Sequence, residues 1–265
     1  MISFEGKHVV AFLLLYCCID VKGCVMDRTT RTVMLVGEST TLRYYYGILL
    51  KRLDYEVLTA ASAEDALTIL ERTVPSLIIT EFTQPLMSGK EFIRMIKGAE
   101  RTKALPIIVF VDDLATRTAC RNLACVGCLV KPVDPALFYR TIQAAVEPYP
   151  REHIRLSLSL KVLVGDGTAE GGAERMEYAT KISEGGLYLR TLYPKPKNAL
   201  TPVKVFIRDR MITAKATVLY RYSLEDGVFR EPGMGLKFIE ISDDNRSFVR
   251  TFIREELTSD IMIST

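Results

Sequence analysis

At Pro148-Tyr149-Pro150 the hydrophobic pattern of the chain changes its period, and this break constrains the fold more than any other feature. Before it, short apolar runs alternate with amphipathic stretches. Residues 33–36, 56–60, 77–80 and 107–111, with Leu129 and Val130, read as buried strands, as parallel strands covered on both faces do. Between them, Leu42, Tyr46, Leu49, Leu50 and Leu53 recur at helical spacing. Ser62 with Asp65 forms a capping box ahead of Ala66, Leu67 and Leu70. Residues 92–96 and 116–125 supply two more helices, and Asp134 caps a last one with Pro135 at its first position. Five strands alternating with five helices imply an α/β unit, a doubly wound parallel sheet. Ligand chemistry in such a sheet lies beyond the carboxyl ends of its strands, here at Gly37, Glu38, Glu81, Val111, Asp112 and Lys131.

After the break the period is two. Leu156, Leu158 and Leu160 alternate with serines, and Leu187 and Leu189 alternate with Tyr188 and Arg190. Residues 203–208, 211–222 and 236–241 continue the alternation, which predicts an all-β antiparallel barrel. Ser242 opens a C-terminal helix packing through Phe248, Phe252 and Leu257. The chain therefore divides into an N-terminal extension (1–25), an α/β domain (26–147), a stiff linker (148–150) and a barrel domain (151–258). With 265 residues, each domain can bury its own core. The extension has an apolar run, residues 9–19, too short to span a bilayer, and Tyr16 spoils a cleavage or lipidation signal before Cys17. It reads first as a start-site artefact upstream of Met26, and second as a membrane-proximal segment.

A formal net charge of +3 argues against a duplex-DNA binder and suits a small anionic ligand held by a few arginines. Among the six cysteines, Cys120, Cys125 and Cys128 contain one CxxC pair, without a second pair and with only His8 and His153 elsewhere. Core packing is the expectation there, with no metal site. The glycine-rich stretch from Gly165 to Gly172 lacks the Lys-Ser/Thr ending of a phosphate loop and reads as a hairpin loop. No nucleophile–base pair stands out, so no catalytic residue and no enzyme activity are expected.

The run PSLIITEFTQPLMSG from Pro75 to Gly89, with Lys131-Pro132 further on, resembles the CheY-type receiver domain of response regulators over about residues 32–146. That resemblance implies an aspartate phosphoacceptor, an acidic pair for magnesium, a hydroxyl residue and a lysine. The matching positions here are Glu81 for the acceptor, Gly37-Glu38 for the pair, Val111 for the hydroxyl and Lys131 for the lysine. Only the lysine is kept, so neither magnesium binding nor phosphorylation is expected. Glu81 can reach Lys131 and lock one conformation, or the pocket is inert and the domain serves for docking.

Arg151-Glu-His-Ile-Arg155, the Ser183-Glu-Gly-Gly186 turn and Gly233-Met-Gly235 together resemble the PilZ family over about residues 150–256. That resemblance implies cyclic-di-GMP as ligand, bound by Arg151, Arg155, Ser183 and Gly186. Guanidinium groups grip phosphate oxygens or a guanine edge. A hydroxyl at Ser183 adds a hydrogen bond, and Gly186 lets backbone approach a base. Lys181 departs from the family's Asp or Asn. It either pairs with a ligand phosphate or marks a barrel that keeps only a protein-binding role. The expectation is a cytoplasmic signalling adaptor with cyclic-di-GMP as ligand and no cofactor. Its protein partner is expected in motility or polysaccharide machinery, with no nucleic acid and a homodimer possible; the alternative is a ligand-free protein-interaction adaptor.

Overall fold

The structure is a computed structural model describing residues 31–227 and 230–261, so the expectations for residues 1–25 lie outside the described residues. The first domain contains β1 (Thr32–Val36), α1 (Thr40–Arg52), β2 (Glu56–Ala60), α2 (Ala63–Leu70), β3 (Leu77–Glu81), α3 (Gly89–Gly98), β4 (Ile107–Val111), α4 (Leu114–Ala119), β5 (Gly127–Val130) and α5 (Pro135–Val146). Its sheet has the order β2-β1-β3-β4-β5 with all pairs parallel. Every residue of β4 is buried, which is why the strand is uninterruptedly apolar. The helices start where a short oxygen side chain takes an otherwise orphaned N–H. Ser39 accepts from Leu42, Ser62 from Asp65, Ser88 from Glu91, Asp113 from Thr116 and Asp134 from Leu137. At α2 the Asp65 carboxylate takes the N–H of Ala61, one residue before the cap, rather than closing the expected box on Ser62.

The fourth helix differs from expectation. It starts at Leu114 because Asp113 caps it, and it ends at Ala119, with a single 3-10 turn over Cys120–Asn122. Cys125 and Cys128 thus lie in the approach to β5 and in β5 itself, their sulfurs 3.5 Å apart beside buried Cys120. They pack into the core under α2 and α3. Burial raises the thiol pKa of both Cys120 and Cys128.

The second domain is a closed barrel of β6 (Leu156–Val164), β7 (Arg175–Ser183), β8 (Gly186–Arg190), β9 (Leu200–Ile207), β10 (Arg210–Tyr222) and β11 (Gly233–Ile241), in the order β10-β11-β8-β7-β6-β9. Alternation is clean in β9 and β10, where Val203 and Val205 lie opposite Ala214 and Ile212, and Ile207 and Val218 are buried with them. The glycine-rich stretch closes β6 onto β7, and a strand rather than a helix follows it. A final helix, α6 (Asp243–Thr258), is capped by Ser242.

The two domains share a core. One buried cluster runs from α1 and α5 through Leu53 and Tyr55 into the barrel and α6, taking in Val249 and Leu257. Helix α6 packs against α1, α5 and β7. The Arg52 guanidinium donates to the carbonyls of Glu256 and Leu257, both at 2.8 Å. A cation on the last carbonyls of a helix satisfies orphaned acceptors and complements the helix dipole. Buried Gln143 donates to Tyr55 Oη at 2.7 Å and accepts from the Arg151 backbone N–H at 3.1 Å, so one amide ties the linker to the α/β domain.

Candidate functional site

The crevice at the carboxyl ends of β1, β3, β4 and β5 holds Glu81 and Lys131. Lys131 Nζ lies 2.7 Å from Glu81 Oε1 and 2.7 Å from Asp112 Oδ1. Burial pushes the Lys131 pKa down, but its hydrogen bonds to Asp112 and Glu81 more than offset this and leave it above the ordinary lysine value. A Cβ added at Gly37 would stand 2.4 Å from Glu81 Oε2. The glutamate is one methylene longer than an aspartate, and the extra length occupies the space that a side chain at residue 37 would need. The two departures from the expected acidic set are thus one steric event.

The remaining positions do not converge. Val111 is wholly buried among apolar side chains, and its neighbour Asp112 reaches the lysine instead. Glu38 is exposed, and its backbone carbonyl takes the Arg43 guanidinium at 2.7 Å, as does that of Gly37. Magnesium requires several oxygen ligands in near-octahedral array. Here one Glu81 oxygen is bound to an ammonium, the other packs on Gly37 and Glu38 turns outward, so the donor set does not fit that ion. Among the described residues there is no group of three or more His, Cys, Asp or Glu that could hold a metal.

The second site is a cleft of about 860 Å³ where the barrel mouth meets the α/β domain. Arg151, Arg155, Lys181, Ser183 and Gly186 all line it, so residues far apart in sequence are brought to one cavity. Two arginines precede β6, and the turn between β7 and β8 supplies the rest. This turn is braced from outside. Arg250 on α6 grips the Glu184 carboxylate through Nε at 2.9 Å and Nη2 at 2.5 Å. That hydrogen-bonded fork holds the Glu184 pKa below its ordinary value against the opposing effect of burial.

Three expected roles change in the structure. Ser183 Oγ donates to the Gly186 carbonyl at 3.0 Å, so its proton is committed to the turn and toward a ligand the hydroxyl can only accept. A Cβ at Gly186 would lie 2.0 Å from the Leu236 carbonyl oxygen. The close approach this glycine permits is to strand β11, not to a base. Lys181 does not stand free for a phosphate either: its ammonium is 2.8 Å from Asp54 Oδ2 of the α/β domain.

Sequence reasoning missed an aromatic row. Tyr188, Tyr220 and Tyr222 line the cleft, with Tyr188 and Tyr220 stacked at 6.2 Å and the Tyr220 and Tyr222 rings tilted against each other at 5.6 Å. The Arg230 guanidinium lies 4.9 Å over Tyr222. The signal was available in the i, i+2 spacing of Tyr220 and Tyr222. It also explains Gly235 of β11, since a Cβ there would fall 2.5 Å from the Tyr220 ring, whereas one at Gly233 would meet the Leu189 carbonyl oxygen at 2.2 Å before Tyr188 Oη at 3.0 Å. The barrel wall is thinned there so that the rings lie across it. Flat aromatic faces accept stacked bases, and the cationic side chains beside them suit phosphate.

Residues 33–143 match the family model described as the response regulator receiver domain, and residues 148–255 match the one described as the PilZ domain. Among similar proteins, the two-component response regulator ORR7 of Oryza sativa subsp. japonica is 34% identical over 108 residues, 39% of this chain and 51% of that protein. Protein PilG of Pseudomonas aeruginosa is 28% identical over 119 residues, 44% of this chain and 88% of that protein. Histidine kinase P4 of Formosa agariphila is 29% identical over 93 residues, and the match spans 7% of that protein. The chain thus spans about half or less of the length of two of these relatives. The solved structure of the chemotaxis response regulator CheY4 of Vibrio cholerae aligns at 27% identity with a TM-score of 0.42, covering 44% of this chain and 99% of that one.

Proposed function

We propose, from a chain that belongs to the response regulator receiver family over residues 33–143 and to the PilZ family over residues 148–255, that this signalling protein is a non-enzymatic cyclic-di-GMP-responsive adaptor. The observation that carries the reading is the convergence of Arg151, Arg155 and the tyrosine row on one cleft of about 860 Å³. That volume falls in the range of small-molecule sites. Guanidinium forks supply the phosphate and guanine-edge contacts, and the rings supply stacking. The receiver is held in one conformation by the Glu81–Lys131 pair and serves for docking rather than phosphoryl transfer. No helix among the described residues is long and apolar enough to cross a membrane. The protein acts in the cytoplasm on a protein partner, in motility or polysaccharide machinery.

Taken alone, the Lys181–Asp54 bond favours a second reading, a ligand-free adaptor whose barrel mouth is closed by its own receiver. Isothermal titration of the full chain with cyclic-di-GMP separates the two. Saturable binding that weakens roughly 100-fold or more in Arg151→Ala/Arg155→Ala, as expected for loss of two charge-assisted contacts, supports the ligand reading. No saturable heat from the wild-type chain would refute it and leave the ligand-free adaptor.

A further inference from the structure

We propose that Asp54, a receiver residue, is the guanine acceptor of the barrel's ligand site, so that the site is composite and incomplete without the receiver. The inference rests on the ligand reading above. Guanine presents N1–H and N2–H donors side by side on its Watson–Crick edge, whereas adenine presents an acceptor at N1. Arginine and lysine side chains only donate and a hydroxyl such as Ser183 offers a single oxygen, whereas a carboxylate can take both N–H donors of that edge side by side.

Three carboxylates line the cleft, at Asp54, Glu152 and Glu231. The Glu152 side chain is 87% exposed. Glu231 accepts from Thr180 Oγ1 at 2.8 Å and lies 3.6 Å from Arg190, both barrel partners. Asp54 is held differently. It is the second residue past α1, in the left-handed region at φ 64°, a conformation that Asp tolerates better than most residues and that ends the helix. Its carboxylate meets the barrel there, accepting from Ser157 Oγ at 3.2 Å and from Lys181 Nζ at 2.8 Å. Both contacts fix its position while leaving lone pairs on both oxygens.

The position of Lys181 gives the second argument. It is the barrel position where the family resemblance carries an Asp or Asn and this chain has a cation. The structure places a carboxylate oxygen within hydrogen-bond distance of that lysine, delivered by the other domain. Lys181 is therefore a positioning residue, and the acceptor it replaced is restored across the interface.

The test is calorimetric titration of the full-length chain with cyclic-di-GMP and with cyclic-di-IMP, whose bases lack the 2-amino group. Asp54→Ala is expected to weaken cyclic-di-GMP roughly 10- to 100-fold, the loss of hydrogen bonds to a charged group, and cyclic-di-IMP by less, erasing most of the preference for guanine. Adding Lys181→Asp to Asp54→Ala returns a carboxylate to the barrel and restores that preference. Arg52→Ala loosens the docking of α6 without touching the acceptor and keeps the preference. An unchanged preference in Asp54→Ala overturns the inference alone, with the ligand reading intact. So does an equal loss of preference in Arg52→Ala, which would make Asp54 a docking contact. Absence of binding by the wild-type chain removes the ligand reading and this inference with it.

Discussion

Gly37→Ala tests whether Gly37 and Glu81 are one steric unit. The new Cβ would lie 2.4 Å from Glu81 Oε2 and 3.0 Å from its Cγ and Cδ, so the carboxylate must swing away. Doing so breaks its bond to Lys131, between side chains that are 13% and 21% exposed. A hydrogen bond between charged groups is worth about 1.5–3 kcal/mol. Lys131 keeps Asp112, so the net cost is about 1–2 kcal/mol. For a chain of this size that lowers Tm by roughly 2–8 °C. In a Glu81→Ala background the obstacle is gone, and Gly→Ala then stabilises by about 0.4–1 kcal/mol through the unfolded state. The substitution should thus change sign between backgrounds. Thermal denaturation of the four proteins in this cycle measures it, and additivity within about 0.3–0.5 kcal/mol would refute the argument.

Three further outcomes follow from the geometry. Gly235→Ala drives a Cβ to 2.5 Å from the Tyr220 ring, so it should cost about 1–3 kcal/mol in urea denaturation and weaken ligand titration by tilting the ring; wild-type stability would contradict the packing argument. Glu184 has a folded pKa depressed by Arg250, so its contribution is present above the unfolded glutamate value of about 4.3 and is lost as pH falls through the folded one. Denaturation midpoints should fall below about pH 4.3 in the wild type, and less steeply in Glu184→Gln; equal slopes would count against the fork. Incubation with acetyl phosphate and magnesium should leave the Glu81 peptide at its unmodified mass, and a stable phosphoryl adduct there would overturn the reading of the crevice.

The fold was legible because its signals are local. Uninterrupted apolar strands, caps at Ser62 and Asp134, and the switch to alternation after Pro150 are each written within a few residues. The pocket cluster was legible as a set of motifs, and Arg151, Arg155, Lys181, Ser183 and Gly186 do share one cleft. What those side chains do there was not legible, because it depends on partners far along the chain. Ser183 spends its proton three residues away, Gly186 yields to Leu236, and Lys181 reaches 127 residues back to Asp54. Asp54 itself carries no motif, since a single acid after a helix is ordinary until the barrel is laid against it. The over-extended fourth helix had a simpler cause. The apolar spacing runs on through Leu123, but the α-helical hydrogen bonding stops at Ala119.

The apolar core that passes from Leu53 and Tyr55 into Val249 and Leu257 bears on how this protein can be taken apart. Separating the halves would expose that seam to water on both pieces, at a cost that grows with the apolar area uncovered. The two family modules are therefore a single cooperative unit rather than two interchangeable parts. A small molecule that binds only the intact fold stabilises everything that melts with it. Occupancy at the barrel mouth should then be readable as slower amide exchange in β4, a strand of the α/β domain with no residue in the cleft.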